Sequence, residues 1–137
     1  MKKNNLIIVL GILFVLTACD SIENKPKERI FSTKFSPDKT VKAIITRYSY
    51  GGATGSFVYK IYLTRKDKNI SKKILKEPLF FAEKVQDISI KWTNEHTLLL
   101  KVKADRIFHY RNFWWNKKTK IMYKLEMDEV YMSQSKE

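Results

Sequence analysis

Residues 85–103, VQDISIKWTNEHTLLLKVK, decide the fold class. Ile88, Ile90 and Trp92 fall on one side of a two-residue repeat, and Asp87, Ser89 and Lys91 on the other. After TNEH, a polar turn, Leu98, Leu100 and Val102 repeat the same alternation. A period of two with one apolar side is the pattern of a half-buried strand, so the stretch predicts a β-hairpin.

Downstream, KIMYKLEM sets Ile121, Tyr123 and Leu125 against Lys120, Lys124 and Glu126, which predicts a further strand. Upstream, TVKAIITRYSY and SFVYKIYLTR are rich in β-branched and aromatic residues, as strands usually are. FSPDKT before them and RKDKN after them carry turn residues. One stretch, SKKILKEPLFFAEKV, fits either period, but Pro78 argues against a continuous helix there. The expected fold is therefore all-β, an antiparallel meander of about seven or eight strands.

Ser36, Pro37 and Asp38 before one strand, and Trp92, Thr93 and Asn94 between two later ones, resemble the turns of a propeller blade. The likeness covers about half the chain and implies blade-like pairing. A propeller needs at least about four blades, which this length cannot supply. Small bacterial lipoproteins of similar layout are the nearer resemblance for the domain.

That second resemblance starts from the N-terminus. Lys2 and Lys3 precede LIIVLGILFVL, residues 6–16, an apolar run shorter than the ~20 residues of a spanning helix. Leu16, Thr17, Ala18 and Cys19 then resemble the lipobox of bacterial lipoproteins, and Cys19 is the only cysteine in the chain. The resemblance implies cleavage between Ala18 and Cys19, a diacylglycerol such as a palmitate ester pair on the thiol, and a bilayer as partner through the acylated cysteine. It also implies a location on the outer side of the cell membrane; Asp20 implies retention in the inner membrane if the envelope is Gram-negative. A single cysteine leaves no intramolecular disulfide.

Four segments follow: signal peptide 1–18, lipidated cysteine and polar tether 19–29, a single β domain 30–131, and a polar tail 132–137. The whole chain of 137 residues carries a formal charge of +13. Removing residues 1–18 takes away Lys2 and Lys3 and no acid, leaving +11. Such a charge attracts anionic surfaces. Export from the cytoplasm excludes nucleic acid as the expected partner. An anionic envelope component or an acidic protein remains.

Two stretches stand out as candidate sites. SYGGATGSF holds Gly51, Gly52 and Gly55, whose freedom at positive φ suits a hairpin connection or a loop turned onto an anion. DRIFHYRNFWWNKKTK reads as one strand over 106–116, with Phe108, Tyr110 and Trp114 on one face and Ile107, His109, Phe113 and Trp115 on the other. Arg106, Tyr110, Arg111, Trp114, Lys117 and Lys118 are the expected partner-binding residues. Lys66, Lys68, Lys72 and Lys73 are expected elsewhere on the surface.

No catalytic group is expected. His96 and His109 are far apart, no histidine or cysteine stands at metal-ligand spacing, and no serine lies in a nucleophile-elbow context. Neither a metal nor a cofactor is expected. The resulting expectation is a non-enzymatic, membrane-anchored binding module with a basic surface; the alternative is an immunity or exclusion lipoprotein that guards the envelope against a toxin, phage or plasmid system. If the lipobox reading holds, intact mass of the membrane-extracted protein will show a chain beginning at an acylated Cys19. Cys19→Ala will lose palmitate labelling and keep residues 1–18; an unmodified Cys19 in the wild-type chain contradicts the reading.

Overall fold

Seven strands form one sheet in the computed structural model, which describes residues 28–49, 56–70 and 74–132. They are β1 (Arg29–Phe35), β2 (Val41–Ser49), β3 (Phe57–Arg65), β4 (Phe80–Trp92), β5 (Thr97–Tyr110), β6 (Phe113–Asn116) and β7 (Ile121–Met132). The only helical turn among the described residues is a 3-10 turn at Ile74–Lys76, just before Pro78. The all-β expectation holds, and the strands run one residue past the expected domain limits at each end. Residues 1–27, with the expected signal peptide and Cys19, the glycines at 51, 52 and 55, Lys72, Lys73 and residues 133–137 lie outside the described residues.

The sheet order is β1-β2-β3-β4-β5-β7-β6, and the first five strands form an antiparallel meander. The Ser36-Pro37-Asp38 turn precedes β2, and Trp92-Thr93-Asn94 turns β4 into β5. The meander then stops. β7 lies parallel to β5, and the short β6 pairs antiparallel on the far edge of β7. A parallel neighbour needs a crossover, and residues 111–120, which include β6, supply it.

The alternation read from the sequence sets the core. Ile88, Ile90, Leu98, Leu100, Val102, Tyr123 and Leu125 are all buried, with polar neighbours between them exposed. β2 and β3 differ, because Ile44, Thr46, Tyr62 and Thr64 are buried on the face opposite Val41, Ala43, Ile45, Ile61 and Leu63. Burial on both faces explains why AII and YLT break the alternation there.

The long hairpin is strongly bent. Straight, the 14 residues of β5 would span about 43 Å from Thr97 to Tyr110. Yet Leu98 pairs with Leu125, and Tyr110 Oη donates to the carbonyl of that same Leu125 at 2.5 Å. The β4–β5 register shifts twice, between Phe81 and Ala82 and between Val85 and Asp87. Lys84, beside the second shift, has φ 48°. Extra residues bend a strand and sharpen its twist, so the two halves of the hairpin serve two walls of one core.

Closure follows from the bend. Trp92 Nε1 donates to the Lys34 carbonyl at 3.2 Å, which ties β4 to β1 although two strands separate them in the sheet. Tyr123 is fully buried at the junction, with ring centroids 5.3 Å from His96, 5.6 Å from Trp114 and 6.2 Å from Trp92. Its hydroxyl shares a 3.2 Å hydrogen bond with Thr40 Oγ1 of the β1–β2 turn.

Leu100 is 0% exposed and Lys103, three residues along the same strand, is exposed. Leu100→Ala should therefore cost ~2–5 kcal/mol in denaturant unfolding, and Lys103→Ala should stay within ~0.5 kcal/mol. A reversed order of the two losses contradicts the strand facing.

Candidate functional site

Two turns and one short strand meet at one end of the fold. Asn116 is buried, and its side-chain carbonyl accepts from Lys118 N at 3.1 Å, while Lys120 N donates to the Asn116 carbonyl at 2.9 Å. These bonds hold the NKKTK turn, in which Lys120 takes φ 59°. Opposite it, Ser36, Pro37, Asp38 and Lys39 turn β1 into β2. Ser36 is buried, its Oγ 2.5 Å from Asp38 Oδ1, and Lys39 N donates to the Ser36 carbonyl at 2.8 Å. The third wall is the end of β3 and the residues after it.

Between them runs an open basic groove made of two adjoining cavities. The larger, about 820 Å³, lies between Thr64, Arg65, Lys68 and Asn69 on one side and Arg111, Phe113 and the Trp114–Lys118 segment on the other. The smaller, about 520 Å³, continues past Asn116 and Lys118 to Lys66, Lys39 and Thr40. Trp114 packs on the core and stacks obliquely on Tyr123, whereas Phe113 and Trp115 are 47% and 46% exposed. The groove thus offers flat apolar surface among cations.

Its charge is lopsided. Lys39, Arg65, Lys66, Lys68, Arg111, Lys117 and Lys118 line it, against Asp67 and Glu77. Arg65 is ion-paired with Asp67, and that guanidinium holds the Asp67 carboxyl below the ordinary carboxylate range. Arg111 is half-buried, and its Nε is buried with no hydrogen-bond partner. A buried donor without an acceptor costs free energy in the folded state.

Of the six residues expected to bind a partner, Arg111, Trp114, Lys117 and Lys118 come together here. Arg106 and Tyr110 do not line it. Arg106 lies over the Phe108 ring, 5.6 Å from its centroid, and Tyr110 spends its hydroxyl on Leu125. The expected continuous strand over 106–116 is interrupted at Arg111 and Asn112, between β5 and β6. Its faces change as well. The pairing passes from Ala82–Ile107 to Phe81–His109, leaving Phe108 as the extra residue. Ile107 and Trp114 pack on the core, while Phe108 is 47% exposed.

Lys66 and Lys68, expected elsewhere, belong to the groove with Arg65 and Lys39. Their turn, RKDKN, was legible as polar and basic, but its neighbour in space is set by closure of the sheet. Among the described residues, no three His, Cys, Asp or Glu side chains are grouped to hold a metal ion. No known protein family, curated protein or solved structure matches the chain.

Burial raises the Asp38 carboxyl, but hydrogen bonds from Ser36 and Thr40 outweigh it and hold the group below its ordinary range. A carboxyl lowered in the folded state stabilises above its unfolded pKa, and the gain is lost as pH falls through the folded value. Asp38→Asn should thus lower the melting temperature at pH 7, with the gap to wild type closing below about pH 4. A gap that is constant with pH contradicts the turn assignment.

Proposed function

We propose that the protein is a lipid-anchored, non-enzymatic binding module on the outer side of the cell membrane, and that its groove takes an anionic, phosphate-bearing glycopolymer of the envelope. The observation that carries this is the convergence of seven cations and an exposed tryptophan from three separate chain segments. Phosphates suit lysine and arginine, with arginine able to bind in a two-pronged manner. Exposed faces of Phe113 and Trp115 suit the apolar faces of sugar rings or a polyol backbone. The groove is open along its length, which fits a polymer passing through it better than an enclosed small molecule. The lipobox supports the location, since such polymers lie outside the cytoplasm.

The test is titration of the protein with poly(glycerol phosphate) against neutral dextran, followed by tryptophan fluorescence. Binding should quench Trp115 and weaken steeply with salt, because exposed charges are screened over ~8 Å at physiological ionic strength. At about 0.5–1 kcal/mol per exposed cation, replacing Lys68, Arg111, Lys117 and Lys118 together by Gln should cost roughly thirty-fold or more in affinity. Replacing Lys34, Lys84, Lys91 and Lys103, all exposed and outside the groove, should cost far less. Equal losses would mean diffuse charge attraction. No binding to any anionic polymer would reject this reading and favour a protein partner, as a protective envelope protein requires.

A further inference from the structure

The end of the sheet away from the groove carries a second surface of different character. Tyr48, Val58, Glu83 and Arg106 form one row across β2, β3, β4 and β5. The groove begins at Thr64, six residues further along β3, about 20 Å away. At the row, Phe31 and Phe57 are 47% and 39% exposed, and the Arg47 guanidinium lies over both rings, 5.2 and 4.6 Å from their centroids. Ile30 is 60% exposed beside them. Phe108, two residues nearer the groove than Arg106, is exposed and stacks on Phe81 at 5.0 Å on the other face of the sheet, the face of Lys60, and is not part of this surface. The acids here, Glu28, Glu83 and Asp105, are half-buried, whereas Arg29 and Arg106 are exposed.

The described chain also starts at this end. Glu28 is fixed on the outer face of β2 and β3. Its carboxylate accepts from Thr46 Oγ1, from Tyr62 Oη at 2.9 Å and from Lys60 Nζ at 3.4 Å. Nine residue steps separate Glu28 from Cys19, so an anchored Cys19 keeps this point within about 32 Å of the bilayer.

We infer that this end of the sheet is a bilayer-contact face. Phe31 and Phe57 enter the headgroup region, and Arg29 and Arg47 meet lipid phosphates. Aromatic rings settle at the membrane–water boundary, and arginines beside them keep their charge among the headgroups. The tether is long enough for this face to reach the surface, and with this face seated the groove at the opposite end points away from it, open to polymer. The inference rests on the lipid-anchor reading of Cys19 and is independent of the groove's ligand.

The experiment uses the full chain, processed and anchored in vesicles of phosphatidylglycerol and phosphatidylethanolamine. An environment-sensitive fluorophore is placed on Phe31→Cys, Phe57→Cys or, for the groove, Lys117→Cys, since an acylated Cys19 does not label. Flotation with the vesicles and the mass of Cys19 are read first. With the chain anchored, brominated lipid should quench the labels at 31 and 57 at least about twofold more than the label at 117, as expected for groups ~5–10 Å deep. Equal quenching at all three sites, stronger quenching at 117, or no quenching overturns the inference while leaving the anchor intact. Cross-linking of position 31 between two copies overturns it in favour of self-association. A chain that does not float and carries a free Cys19 removes the anchor and this inference together.

Discussion

The bend in the β4–β5 hairpin is the constraint on which the rest depends. A flat hairpin of this length would leave part of its apolar face open to water, since the described residues hold no helix longer than one 3-10 turn to cover it. The register shifts at Phe81–Ala82 and Val85–Asp87 let each strand turn and serve both walls. The bend costs a lysine at positive φ, a conformation unfavourable for residues with a Cβ. Closure offsets that cost by burying Leu98, Leu100, Tyr123 and Leu125 against Val41, Ile45 and Ile61.

Tyr123 shows how the closed sheet positions the groove. Its ring meets Trp92, His96 and Trp114, and its hydroxyl meets Thr40. Those contacts fix β6 and the β1–β2 turn to the same core residue. The cations on the neighbouring turns are therefore held close by packing, against their mutual repulsion. Cations gathered this way are individually weak binders in water, and they gain strength when a polyanion engages several at once.

The sequence disclosed the strands where one face is apolar and the other polar. Residues 86–103 and 120–127 keep that contrast, and the structure follows it. It was silent where both faces are mixed. Ile107, Phe108, His109 and Tyr110 look alike as side chains to bury, so the one-residue shift that turns Phe108 outward leaves no trace in the pattern. Closeness along the chain groups Arg106 and Tyr110 with Arg111; the break at Arg111–Asn112 separates them. Lys66 and Lys68 present the converse case, being far in sequence from Arg111 and adjacent to it only through closure. The parallel pairing of β5 with β7 was hidden too, because a two-residue alternation says nothing of strand direction.

The central claim is that the anionic partner is held by the groove and that the positive surface at large does not suffice. Backbone amide NMR of the protein with added poly(glycerol phosphate) tests it most directly. The account predicts shift changes concentrated at Lys39, Arg65–Lys68, Arg111 and Phe113–Lys118, with little change at Arg29–Phe31, Arg47 and Phe57. Changes spread evenly over exposed lysines, or centred on the opposite end of the sheet, would contradict it.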